Sequence, residues 1–187
     1  MRILLTFLLF LMFFSCFSQN KPHYDIVLPE HYEVEKSEDD YNLLIASKYS
    51  NGEIVGMIEI RYSDDWSFSI LKNDEYITEM LNGDDFEAQA SMMFNNFKTN
   101  SKEKLYLKGV GDCFALIYSG DYYSNDVRIT NFVVQFIKNN TLFTLLGSST
   151  PENFSSAYKS FLKSFDTFQL WVKSLEELLR IKKLLKQ

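Results

Sequence analysis

Cysteine, histidine and proline are scarce in this chain. Its 187 residues include two cysteines, two histidines and three prolines. Cys16 lies in an N-terminal segment that we expect to be removed, so Cys113 has no cysteine with which to form a disulfide. A hydrophobic core must therefore stabilise the fold. Because Cys113 stands in an apolar run, where a raised thiol pKa suppresses the thiolate, we expect a buried small hydrophobe and not a nucleophile.

The two histidines, His23 and His31, offer no catalytic or metal-binding pattern. Neither has a cysteine or acidic partner at the spacing typical of metal ligands. The motifs G-x-S-x-G, G-x-G-x-x-G and G-x-x-x-x-G-K-[ST] are also absent, so the sequence contains neither a serine-hydrolase elbow nor a phosphate-binding loop. We predict no catalytic residue, no metal and no cofactor, and we expect both histidines at the surface.

Basic residues are outnumbered by acidic ones, with 19 lysines and arginines against 25 aspartates and glutamates and a net charge of −6. Nucleic-acid binding depends on a basic surface, so no nucleic acid is an expected partner. The acidic residues gather in stretches at 38–40, 64–65 and 84–85, and Asp121 and Asp126 flank a fourth turn. We interpret these stretches as solvated turns, with calcium binding and acid catalysis as alternatives.

Residues 1–18 have the pattern of a secretory signal peptide. Arg2 precedes an apolar run over residues 3–14, and the small residues Cys16 and Ser18 suit a cleavage site. The run is shorter than the ~20 residues that a membrane span needs, so we expect an exported protein, periplasmic or extracellular. Ser15 before Cys16 leaves an alternative in which Cys16 carries a lipid anchor.

Residues 19–168 form one predicted α+β domain, since 46% of the chain is apolar and 16% aromatic, enough for a sizeable core. Asn51 and Gly52 join two β-rich runs and predict a tight hairpin. Alternating residues over 66–70 and the run 101–108 indicate further strands. After Gly111, apolar side chains fall on both faces of the chain, which predicts a central strand covered on both sides.

Three helices are predicted within this domain. Asn73 and Asp84 are expected to cap the first two, with the second helix reaching Phe97. Thr150 precedes Pro151 at the start of the third, where a proline is well tolerated. The third helix carries an aromatic stripe made of Phe154, Tyr158, Phe161 and Phe165.

Residues 169–187 are predicted to form a separate basic amphipathic helix. Trp171 and several leucines lie on one side, and the basic residues around it include Arg180, Lys182 and Lys183. Such a helix can dock on its own domain, or it can bind an anionic membrane surface or a partner. We predict docking, with peripheral membrane contact as the alternative.

The order of these elements resembles the PsbP/DcrB-like superfamily, on the start DIVLPEHYEVE (residues 25–35) and the helix ending FLKSF (residues 161–165). This superfamily includes photosystem-associated lumenal proteins, bacterial envelope lipoproteins and a nuclear-transport factor that binds a small GTPase. The resemblance covers residues 24–168. It implies an antiparallel β-sheet flanked by helices and used for binding or assembly, and it transfers no site residue.

The sequence therefore favours a non-enzymatic interaction or assembly module with an unknown protein partner in the envelope. The candidate interaction residues are Trp66, Tyr122, Tyr123, Trp171, Arg180, Lys182 and Lys183. One alternative is a hydrolase that uses Asp64 or Asp65 with a second acid. The other is a small-ligand carrier with an apolar pocket between sheet and helices.

Overall fold

The computed structural model describes residues 21–37, 39–123 and 127–171. The predicted signal peptide (residues 1–18) with its lipid-anchor candidate Cys16 lies outside these residues, as do Glu38 and Asp126. Of the predicted C-terminal helix, the structure describes residues 169–171 only. Arg180, Lys182 and Lys183 therefore stay predictions. Within the described residues, no helix is both long and apolar enough to cross a membrane.

A seven-stranded antiparallel sheet forms the centre of the fold, with the strand order β2-β3-β4-β8-β7-β6-β5. A separate pair, β1 and β9, joins the two ends of the described chain. The strands are β1 (Tyr24–Asp25), β2 (Glu33–Glu35), β3 (Asn42–Ser50), β4 (Glu53–Ser63), β5 (Phe94–Leu107), β6 (Gly111–Tyr122), β7 (Arg128–Lys138), β8 (Thr141–Ser149) and β9 (Gln169–Leu170).

The helices flank this sheet on both faces, which confirms the predicted α+β class. They are a 3₁₀ helix (Trp66–Ser69), α1 (Asn73–Asn82), α2 (Asp85–Ser91) and α3 (Pro151–Phe165). Between β3 and β4, Asn51 and Gly52 have φ angles of 53° and 82°, as a primed hairpin turn requires. The Asn51–Gly52 turn places Ser50 opposite Glu53 and so sets the register of the β3–β4 hairpin.

Helix α3 covers one face of the sheet. Phe161 and Phe165 of its aromatic stripe are fully buried, and the ring of Phe165 stacks on that of Phe132 in β7 at 5.6 Å between centroids. Tyr158 meets Phe132 edge to face at 4.9 Å. Fully buried Phe168, just after the helix, completes this cluster.

Helices α1 and α2 cover part of the opposite face, over β5, β6 and β7. Ile77 and Ala90 pack there against Phe114 and Leu116 of β6, while Cys113 of β6 packs into the α3 cluster. Strand β6 is thus apolar on both faces because both faces are covered, as its sequence predicted.

Two segments differ from the prediction. Helix α2 ends at Ser91, and Phe94 and Phe97 belong to β5 instead. Pairing of β5 with β6 outweighed the helical spacing of these aromatics, since strand preference depends on tertiary partners. Residues 66–69 form a 3₁₀ helix and not a strand, because the carboxylate of Asp65 accepts the Ser67 N–H at 2.9 Å and turns the chain.

The predicted helix caps also act differently. Asn73 is the first residue of α1 and not its cap, and its side chain ties the helix to the sheet. Its amide donates to the Asp112 carbonyl at 2.8 Å, and its carbonyl accepts from the Ile137 N–H at 2.7 Å. Asp84 precedes α2 as predicted, but its side chain makes no capping hydrogen bond. The Asn73 side chain therefore bonds to backbone groups of the sheet and not to the N–H groups at the start of the helix.

Candidate functional site

The structure places the predicted interaction residues at separate points. Tyr122 is the last residue of β6 and Tyr123 follows it, beside the start of β7. Trp66 follows β4, whose last residue Ser63 pairs with Leu142 next to the β7–β8 turn. This is the other end of β7, roughly 30 Å away at about 3.3 Å per strand residue. Trp66 and the two tyrosines therefore lie near opposite ends of the sheet.

Trp171 lies at the β1–β9 pair. Its indole N–H donates to the Asp25 carboxylate at 2.7 Å, and its backbone N–H donates to the His23 carbonyl at 2.9 Å. The helix predicted to include residue 170 does not begin there, since Leu170 pairs with Tyr24 as a strand. The helical pattern of residues 169–187 gives no sign that Leu170 pairs with Tyr24, because the two residues are far apart in the sequence.

Tyr122 and Tyr123 form part of an exposed cluster, here called the apolar end surface, with side chains exposed by 39 to 75%. Its members are Met92, Met93, Tyr122, Tyr123 and Val127. The Tyr123 N–H donates to the Met93 carbonyl at 3.3 Å, and the Tyr122 N–H donates to the Val127 carbonyl at 3.0 Å. The end of α2 and the β6–β7 hairpin thus supply one surface.

Polar contacts hold this surface in place. The Asp121 carboxylate accepts from the Asn96 amide at 2.7 Å and from the Arg128 guanidinium at 3.2 Å. These bonds join β5, β6 and β7 directly behind Tyr122, whose ring meets Phe94 edge to face at 5.0 Å. The backbone that presents the apolar end surface is therefore fixed by three strands.

The acidic turns are the sequence-predicted candidates for calcium binding and acid catalysis. No three His, Cys, Asp or Glu side chains there converge as metal ligands would. Hydrogen bonds from the Ser67 backbone and hydroxyl lower the pKa of Asp65, and the Lys108 ammonium and N–H lower that of Asp166. Both carboxyls are held ionised, whereas a general acid needs a raised pKa.

A groove of about 560 Å³ runs beside α3, here called the α3 groove. One wall is the stripe of small side chains on α3, and the other is the segment 27–32. Lys48 and Val55, from β3 and β4, contribute to its lining. Its lining includes both polar and apolar side chains, whereas the pocket predicted for a carrier is apolar. The sequence signal for this groove was the spacing of Ser156, Ser160 and Ser164 on α3.

Cys113 is fully buried, as predicted. Burial, and then the nearby charge of Asp112, raise the pKa of its thiol to about 12. In the unfolded chain a cysteine thiol has a pKa of about 8.5. As the pH rises, the unfolded state therefore loses this proton at a lower pH than the folded state does. The contribution of this group to stability is full below that pH and decreases as the pH rises toward the folded value.

We expect the Cys113 thiol of the native protein to react with Ellman's reagent at pH 8 at least about 100-fold more slowly than in urea, because only the thiolate is nucleophilic. The absorbance of the coloured nitrothiobenzoate that the reagent releases measures both rates. A native reaction as fast as the denatured one would contradict the buried position.

No protein-family model matches this sequence, and no curated protein sequence does either. Solved structures do match in fold. The solution structure of cyanobacterial PsbP from Synechocystis sp. PCC 6803 has a TM-score of 0.55 at 12% identity, over 83% of this chain and 91% of that one. The crystal structure of LpqN, involved in cell envelope biogenesis of Mycobacterium tuberculosis, has a TM-score of 0.51 at 9% identity, over 84% and 88%. This chain therefore has the PsbP-like fold that its element order predicted.

Proposed function

We propose that this chain is an exported, non-enzymatic binding module of the cell envelope. The observation that carries the proposal is the apolar end surface. Five apolar residues are exposed there, on the α2–β5 turn and at the adjoining ends of β6 and β7, which backbone hydrogen bonds hold together. Tyrosine and methionine are enriched at protein interfaces, and methionine adapts readily to a partner's shape. A protein partner with an apolar contact surface is therefore the occupant that suits it.

Two further observations support the place of action. The chain begins with a signal-peptide pattern, and LpqN, which has the same fold, is involved in cell envelope biogenesis. The basic residues Arg180, Lys182 and Lys183 add a proposed peripheral contact with an anionic membrane surface. The hydrolase alternative receives no support from Asp65, which is held ionised and caps the 3₁₀ helix.

A photo-cross-linking amino acid at position 123 in the full chain tests the proposal inside cells. We expect irradiation to give one discrete adduct with an envelope protein, recovered in the envelope fraction. The matched control is the same amino acid at Tyr106, which is 66% exposed on β5 outside the apolar end surface. Adducts that are equal at both positions, or no adduct at position 123, would contradict the proposal.

A second variant shows whether the surface itself matters. In a chain with the cross-linker at position 123, Met92→Ser should reduce the adduct at least about fivefold, because it removes the most exposed apolar side chain of the apolar end surface. The melting temperature should remain unchanged, since Met92 is 75% exposed. An undiminished adduct would mean that the captured protein does not use this surface.

A further inference from the structure

The α3 groove exists because α3 presents small side chains toward the segment 27–32. Ser156, Ser160 and Ser164 recur every four residues, and Ala157 lies three before Ser160, so they share one side of the helix. Serine and alanine do not fill the space up to the facing segment, and about 560 Å³ remains open. Small-molecule sites typically have volumes of about 300 to 1,000 Å³.

The facing wall is fixed at both ends. The Val27 N–H donates to the Thr167 hydroxyl at 2.9 Å, and the Ser164 hydroxyl donates to the Val27 carbonyl at 2.7 Å. At the other end, the Tyr32 ring meets Phe161 edge to face at 6.5 Å. A preformed wall lets a ligand bind without first ordering the protein.

Gly56 leaves room for the Tyr32 side chain in this arrangement. The Tyr32 hydroxyl lies directly over Gly56, where an added Cβ would come within 2.4 Å of the hydroxyl oxygen. Between the two fixed ends, His31 has a φ of 66°, a left-handed conformation that is uncommon for residues other than glycine. The turn at 29–32 is thus held by its contacts, and it keeps the groove open.

The groove carries positive charge on an acidic protein. Lys48 from β3 and Lys163 from α3 both line it, and Glu30 is the one carboxylate among its lining residues. Neither lysine forms an ion pair with a residue that the structure describes. The Ser160 hydroxyl makes no hydrogen bond within the described chain either. Lys48, Lys163 and Ser160 therefore line the same space without an ion pair or side-chain hydrogen bond to another described residue.

We propose that the α3 groove binds a small organic anion with an apolar body. Ammonium and hydroxyl groups are donors that recognise a carboxylate, phosphate or sulfonate. Leu28, Val55 and Ala157 line the same space and offer an apolar surface to the rest of the molecule. The groove and the apolar end surface are formed by different elements, so this proposal does not rest on the proposed protein partner.

The probe is 8-anilinonaphthalene-1-sulfonate, which joins one anionic group to an aromatic body, and its neutral analogue N-phenyl-1-naphthylamine. Both are titrated into the purified protein and followed by fluorescence, with stoichiometry measured by calorimetry. We expect the sulfonate to bind with a stoichiometry of one and at least about tenfold more tightly than the neutral analogue, because the lysines recognise its charge.

The double variant Lys48→Gln/Lys163→Gln should weaken sulfonate binding at least about tenfold while binding of the neutral analogue is unchanged. The charge-matched control is Lys72→Gln/Lys98→Gln, which removes two exposed lysines outside the groove and should leave both affinities unchanged. Circular dichroism and the melting temperature verify that both variants fold.

Three results would overturn the proposal. The first is equal affinity for the sulfonate and its neutral analogue, and the second is an equal loss in both double variants. The third is a stoichiometry well above one, which would show adsorption to exposed apolar surface. Cross-linking at position 123 should be unaffected by Lys48→Gln/Lys163→Gln, so failure of one proposal can be distinguished from failure of the other.

Discussion

Replacing Phe165 with alanine is expected to lower the free energy of unfolding by about 3–5 kcal/mol, the range for deleting a buried aromatic ring. Phe165 is fully buried, and its ring stacks on Phe132 at 5.6 Å and on Phe161 at 6.4 Å between centroids. The cavity would open between α3 and the sheet, where rigid neighbouring rings cannot collapse into it. Urea denaturation followed by circular dichroism measures the change.

Tyr106→Ala is the control for this variant. It also removes an aromatic ring, but Tyr106 is exposed on β5, so the loss should stay within about 0.5 kcal/mol. A loss below about 1 kcal/mol for Phe165→Ala would show that α3 does not anchor the core in the way described.

Lys102→Ala is expected to lower the free energy of unfolding by about 2–3 kcal/mol, at or just below the range of about 3–5 kcal/mol for a broken buried ion pair, because some solvent reaches it. The Lys102 ammonium lies 2.8 Å from the Glu87 carboxylate, and the two side chains are only 16% and 14% exposed. Lys102 also donates to the Gly83 carbonyl. Its removal leaves the Glu87 carboxylate nearly buried without a cation.

A double-mutant cycle built from Lys102→Met, Glu87→Leu and the two substitutions combined separates this penalty from lost packing. The variant Lys102→Met/Glu87→Leu removes both charges and should unfold within about 1 kcal/mol of the parent, because apolar replacements of a buried ion pair are often neutral. One oxygen of Glu87 already has no hydrogen-bond partner, which favours this outcome. Equal losses in the single and double variants would show that packing, and not charge, joins α2 to β5.

Local chemistry made parts of the fold predictable from sequence. The φ angles required between β3 and β4 match what asparagine and glycine tolerate, so the first hairpin needed no tertiary information. The apolar residues on both faces of β6 correctly predicted that both faces of this strand are covered. Phe97 shows the limit, because aromatics three or four residues apart suit a helix and the distant strand β6 decided otherwise.

The candidate sites were less accessible to sequence reasoning, because each combines residues far apart in the chain. Tyr122 and Tyr123 could be named as interface residues from their type, but their neighbours Met92 and Met93 join them only through the turn between α2 and β5. Lys48 and Lys163 belong to different elements on the two sides of the α3 groove. No local spacing relates them, and only the packing of α3 on the sheet does.

Pairing of β1 with β9 also dictates an order of assembly. Tyr24 and Leu170 are strand partners, and contacts so distant in sequence form late because a long loop must close first. Because synthesis proceeds from the N-terminus, the chain can complete its large sheet before residue 170 becomes available. The β1–β9 pair would close only afterwards, so the core can form before the two ends of the described chain are joined. Reversal of that last step would separate β1 from β9 without unfolding the large sheet.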